Sequence, residues 1–160
     1  MMQFYTIGVF GSSEEYFFDK LRQNSIDMFC DIRQRRGVRG AQYSFVNSNR
    51  LQARLNELGI QYMYISDLAP TTEIREIQKC IDHQKGELVK ERQALDGVFV
   101  AAYCRQILDK FDFTAFLENL KESRAKRIAF FCVEEYAEAC HRSIVTNRLD
   151  EMFNFKITHL

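Results

Sequence analysis

Four short β-prone runs separated by stretches of helical periodicity leave this chain few architectures to choose from. Phe4-Tyr5-Thr6-Ile7 ends at Gly8, and Gly11-Ser12-Ser13-Glu14-Glu15 then supplies a flexible turn, a cap and first-turn acids for a helix through about Asn24. Ile26 to Ile32 (IDMFCDI) is the second run. After the Asn47-Ser48-Asn49 cap cluster, Leu51, Leu55 and Leu58 recur at helical spacing and Gly59 stops the helix; Gln61 to Ile65 is the third run. Alternation of this kind implies a mainly parallel sheet with right-handed crossovers, because each helix must return the chain to the same edge.

From Thr71 to Ser123 the pattern predicts helix throughout. Ile74, Ile77 and Ile81 share one face, and Asp112-Phe113-Thr114 introduces a helix carrying Phe116, Leu117 and Leu120. Arg127 to Cys132 (RIAFFC) is the most apolar run and is expected as a central strand, followed by a loop and a helix from about Cys140 to Met152. Phe153 to Leu160 would close the sheet at its edge. The expected fold is thus α/β, a mainly parallel sheet of about five strands flanked by helices, with a helical insertion before the fourth strand. The 160 residues, 46% of them hydrophobic, can bury one good core but are short for two, and the one proline, Pro70, marks no linker. One domain over residues 1–160 is expected.

Five cysteines without framework spacing, and a start that lacks the basic and apolar regions of a secretory signal, point to reduced thiols and a cytoplasmic protein. No apolar stretch approaches the roughly 18–20 residues that cross a bilayer, so no membrane partner is expected. Net charge is zero, yet between Ile32 and Asn56 there are six arginines (Arg33, Arg35, Arg36, Arg39, Arg50, Arg54), no lysine and no acid. The average conceals one cationic segment.

Ligands of open parallel sheets bind beyond the carboxyl ends of the strands. Three loops are expected there: Gly8 to Ser13, Asp31 to Arg39, and Cys132 to Arg142. In the first, Gly8 is a candidate for backbone binding of a phosphate, although the loop has neither the Walker spacing nor the dinucleotide fingerprint. In the second, Asp31 and Arg33 stand two apart and can project to one side of the strand end, either as a structural ion pair or as a positioned base and ligand clamp. Arg33, Arg36 and Arg39 are candidate anion ligands, since arginine favours bidentate grips on phosphate or carboxylate, and Tyr43 and Phe45 offer stacking faces; the alternative is a solvated basic loop.

The third loop carries Glu134 and the Cys140-His141-Arg142 turn. A helix N-terminus and neighbouring cations lower a thiol pKa, which makes Cys140 the candidate reactive cysteine, with Glu134 and His141 as candidate catalytic groups and Arg142 as an anion ligand. Burial of Cys140 and His141 as packing residues is the competing expectation. Cys132, Cys140 and His141 have the chemistry of zinc ligands, but no C-x2-C pair supports such a site and no metal is expected. Cys30, Cys80 and Cys104 are expected to be inert.

Taken in order, Thr6-Ile7-Gly8, Asp31-Ile32-Arg33, Phe45, Leu58-Gly59-Ile60-Gln61-Tyr62, Cys132-Val133-Glu134 and Cys140-His141-Arg142 resemble the family known as domain of unknown function 488 over nearly the whole chain. The resemblance implies a compact α/β domain whose polar motifs suggest an enzyme, and it brings no assigned reaction or cofactor. Asp31, Arg33, Glu134, Cys140, His141 and Arg142 are the matching positions. Val9 and Leu68-Ala69-Pro70 depart from the family's usual His or aromatic residue and Leu-Gly-Gly, and the proline common after Asp-x-Arg is missing. Three functions fit: an enzyme for a phosphorylated or nucleotide-type small molecule, a nucleic-acid-binding module using Arg33 to Arg54, or a non-catalytic interaction domain.

Overall fold

A computed structural model describes residues 1–160. Five strands, β1 (Gln3–Ile7), β2 (Met28–Asp31), β3 (Gln61–Tyr64), β4 (Arg127–Phe131) and β5 (Ile157–His159), form one all-parallel sheet in the order β3-β2-β4-β1-β5. The RIAFFC run is central, as its apolar character predicts. Its register places Ile128 beside both Phe4 and Met28, and Phe131 beside both Ile7 and Asp31.

Because side chains alternate across a strand, the sheet divides its apolar residues between two cores. Tyr5, Ile7, Phe29, Ala129 and Phe131 face α1 (Glu14–Gln23) and α2 (Ser48–Glu57), which contribute Phe17, Phe18, Leu21, Leu51 and Leu55. Phe4, Met28, Cys30, Ile128 and Phe130 face the other way. They pack with residues of α3 (Thr72–Lys85), α4 (Gly97–Gln106), α5 (Phe113–Glu122) and α6 (His141–Phe153). Covering on both faces explains why β1, β2 and β4 read as near-continuous apolar runs without polar alternation, whereas the edge strands β3 and β5 stay partly exposed.

Local signals set the helix ends. The Ser13 side chain accepts from the Tyr16 amide at the start of α1, Thr71 from the Ile74 amide at α3, and Asp112 from the Ala115 amide at α5. Two expectations need correction. The segment from Thr71 to Ser123 is not helical throughout: α3 stops at Gly86, which adopts the left-handed φ of +65°, and turns occupy 87–95 until Asp96 caps α4. The closing strand is shorter than Phe153 to Leu160, since Phe153 ends α6 and Asn154 turns the chain in the left-handed region.

Topology also sets the site. From β1 the chain passes over the future position of β4 to reach β2 and β3, and only later returns to fill the gap. The loops after β1, β2 and β4 therefore converge at one carboxyl edge, where the direction of winding reverses.

Phe17 is fully buried and its ring meets those of Phe18, Phe29, Phe45 and Phe131. Phe17→Ala should cost about 3–5 kcal/mol in urea unfolding, whereas Tyr16→Ala, at a 57% exposed position, should change stability by less than about 0.5 kcal/mol. Equal effects at the two positions would contradict the assignment of this core.

Candidate functional site at the carboxyl edge of the sheet

Asp31 ends β2 with its carboxylate completely enclosed. Oδ1 accepts from the Arg33 amide and from Arg33 Nε at 2.9 Å; Oδ2 accepts from Arg33 Nη2 at 2.7 Å and from the Tyr62 hydroxyl at 2.8 Å. The remaining Arg33 nitrogen donates to the Val46 carbonyl, and the guanidinium lies over the Phe131 ring. Both oxygens of Asp31 are thus engaged. The pair is a bidentate brace tying the arginine loop to the sheet.

Across the edge, Cys132 follows β4, Cys140 is the N-cap residue of α6 and His141 is that helix's first residue. All three are buried, and their ligating atoms lie within 4.8 Å of one another. His141 Nδ1 is 3.7 Å from Cys140 Sγ, while Nε2 is 2.9 Å from the Ile32 carbonyl. A carbonyl only accepts, so Nε2 carries a proton and the ring is locked with Nδ1 towards the sulfur. Glu134 completes this group: Oε1 accepts from Arg92 Nη2 at 3.3 Å, and buried Oε2 has no hydrogen-bond partner.

Burial shapes the ionisation of these groups. It raises the Glu134 carboxyl to about 7, helped by Cys140 and opposed by His141 and Arg92. Hydrogen bonding with Cys140 and burial both raise the Cys132 thiol. Burial would raise Cys140 too, but the Cys132 hydrogen bond and the positive His141 and Arg142 bring it well below its ordinary value. For His141, burial favours the neutral ring, yet Cys140 and Glu134 outweigh it and raise the pKa. Cys30, by contrast, is raised by burial and by Asp31, as expected of an inert thiol.

Cys132, Glu134, Cys140 and His141 line a cavity of about 450 Å³ that also holds Arg33, Arg35, Arg39, Arg75 and Arg92. Arg35 and Arg39 are exposed and form no ion pair. The other arginines of the cationic segment point elsewhere: Arg36 stacks on Tyr64, Arg50 pairs with Glu14 and Arg54 with Glu57. The Tyr43 and Phe45 rings are buried in the core beside α1, which corrects the expectation that they offer stacking faces.

Gly8 and Arg142 hold the third loop in place. A Cβ on Gly8 would lie 2.0 Å from the Glu134 carbonyl oxygen, so only glycine permits this approach. Arg142, 1% exposed, donates from Nη1 to the Glu134 carbonyl at 2.6 Å and from Nη2 to the Glu135 carbonyl at 2.9 Å. Neither residue lines the cavity.

Sequence reasoning missed Arg92. It lies in the non-helical segment between α3 and α4 and reaches Asp82 at 2.6 Å, Glu134 and the Ala139 carbonyl, joining α3 to the Cys132–Cys140 loop. Gln78 supports it by donating to Asp82 and accepting from the Asp96 amide. The only local cue was Gly86, whose helix stop releases this segment from the pattern.

A family model described as domain of unknown function DUF488 matches residues 13–149. No curated protein and no solved structure matches the chain.

If Asp31 braces Arg33, Asp31→Ala should destabilise the protein by about 3–5 kcal/mol in denaturant unfolding, since it strands a buried guanidinium. Asp31→Ala combined with Arg33→Met should recover part of that loss. A double variant as unstable as the sum of its single variants would show that the two side chains act independently.

Proposed function

This chain belongs to the DUF488 family, and from that premise we propose that its cavity is an enzyme-like pocket for a phosphorylated or nucleotide-type small molecule. The observation that carries this is the uneven pairing of the arginines lining it. Arg33 and Arg92, buried, are matched by Asp31 and by Asp82 with Glu134, whereas Arg35 and Arg39, exposed on the same cavity, have no acid. Two planar cations without partners suit an anion gripped by several N–H donors.

Charge and depth order the pocket. Arg35 and Arg39, with Arg75 from α3, would hold the anion on the solvent side, and the rest of the molecule would extend towards Glu134 and the Cys140-His141 turn. Glu134 is the residue to which we assign proton transfer, because Oε2 is unpartnered while Oε1 is fixed by Arg92. Asp31 acts at a distance, keeping the loop that bears Arg35 and Arg39 on the sheet. The cavity volume falls in the range usual for small-molecule sites. Burial of Tyr43 and Phe45 removes the stacking platform that a nucleic-acid-binding module would use.

Calorimetry with AMP, glucose 6-phosphate and pyrophosphate, set against adenosine and glucose, should show binding of phosphorylated compounds alone. Arg35→Ala with Arg39→Ala should weaken it by roughly 10–100-fold, the scale of losing charge-assisted hydrogen bonds. Unchanged affinity in that double variant would reject the assignment. Tighter binding of a single-stranded oligonucleotide, falling steeply with salt, would replace the compact anion with a polynucleotide.

A further inference from the structure

We infer that Cys132, Cys140 and His141 bind one divalent transition-metal ion of the zinc type, leaving a coordination position open towards the cavity. The inference goes beyond the anion pocket and does not depend on it.

Three observations carry it. The first is composition and closeness: two cysteine sulfurs and one imidazole nitrogen, all buried, have their ligating atoms within 4.8 Å of one another. Tetrahedral coordination with bonds of about 2.3 Å to sulfur and about 2.1 Å to nitrogen sets neighbouring ligand atoms roughly 3.6–3.8 Å apart. The 3.7 Å between Cys140 Sγ and His141 Nδ1 already has that value.

The second observation is the state of the imidazole. Nε2 donates to the Ile32 carbonyl, the outer contact that fixes tautomer and ring angle in histidine metal ligands, and Nδ1 is turned towards the Cys140 sulfur, with the Cys132 sulfur within 4.8 Å in the same group. Ile32 immediately follows β2, so the sheet itself aims the ligand. The third is the surroundings. Cations nearby are directed elsewhere: Arg92 pairs with Asp82 and Glu134, and Arg142 donates from both Nη groups to two loop carbonyls, leaving only its buried Nε without a partner.

On binding, two protons leave the Cys132-Cys140-His141 group, two thiolates and a neutral imidazole remain, and the ion's two positive charges balance the sulfurs. Three protein ligands leave one tetrahedral position unfilled. Cys132, Cys140, His141 and Glu134 all line the cavity, so that position faces the space a ligand would enter, with Glu134 beside it. Cys80 and Cys104 lie outside this group and serve as controls.

Protein purified without chelators from zinc-supplemented cells should retain about one equivalent of zinc by elemental analysis. The reduced apoprotein titrated with Co2+ should develop a thiolate-to-metal charge-transfer band in the near ultraviolet and the visible bands of tetrahedral cobalt. Cys132→Ser and Cys140→Ser should each lower affinity by more than the roughly 10–100-fold typical of an outer-sphere change. Cys80→Ser and Cys104→Ser should leave it unchanged. If the site variants do not fold, the cobalt spectrum of the unaltered protein decides alone. Absence of that charge-transfer band in reduced protein, or retention of metal when both Cys132 and Cys140 are serine, would overturn the inference. No anion enters these measurements, so their failure would leave the phosphate-binding proposal standing.

Discussion

The late insertion of β4 between β1 and β2 is the constraint on which the rest of this molecule depends. It makes the RIAFFC run the centre of the sheet, buries it on both faces, and brings three loops from distant parts of the chain to one edge. The loops must then approach closely. At Gly8 the chain after β1 comes so near the Glu134 carbonyl that a side chain cannot be accommodated, and Val9 and Phe10 donate their amides to the Val133 carbonyl. Local closeness of this kind fixes Glu134 before any side chain around it contributes.

Two buried arginines then stiffen what topology has assembled. Arg33 braces the second loop through Asp31 and the Val46 carbonyl; Arg92 braces the third through Asp82, Glu134 and the Ala139 carbonyl. Burying these charges carries a desolvation penalty that the ion pairs only partly offset, so their contribution to net stability is small. Their effect lies in geometry, because a bidentate guanidinium permits few orientations of its partners. The walls of the cavity are held at both sides by such fixed groups, while Arg35 and Arg39 remain unengaged on the same surface.

Much of this was legible in the sequence, for identifiable reasons. Strand and helix periodicity, the helix starts at Ser13 and Asp112, and the stop at Gly59 are local signals, and they delivered the α/β class, five strands and the central RIAFFC run. Asp31 and Arg33 meet because two positions at a strand end share a side. What stayed hidden depends on tertiary approach. Arg92 reads as one charge among many in a polar stretch, and the six arginines of one segment read as one patch although the fold sends them in four directions. Cys132, Cys140 and His141 read as a possible ligand set, but without a C-x2-C pair nothing local showed that the loop between Cys132 and Cys140 closes on itself and brings the three to one point.

That return separates the two ends of the cavity chemically. At the exposed end the free groups are guanidinium donors, hard, cationic and able to lie flat against oxyanions. At the closed end they are sulfur, imidazole and one carboxylate oxygen, all electron-pair donors and all desolvated. Buried electron-pair donors gathered around one point favour a cation there, just as unmatched guanidinium groups favour an anion outside. On the proposed function, an anionic group held by Arg35 and Arg39 would direct the opposite end of its own molecule towards Glu134 and the Cys132-Cys140-His141 group, so that binding and chemistry would be divided between two loops that the insertion of β4 brings together.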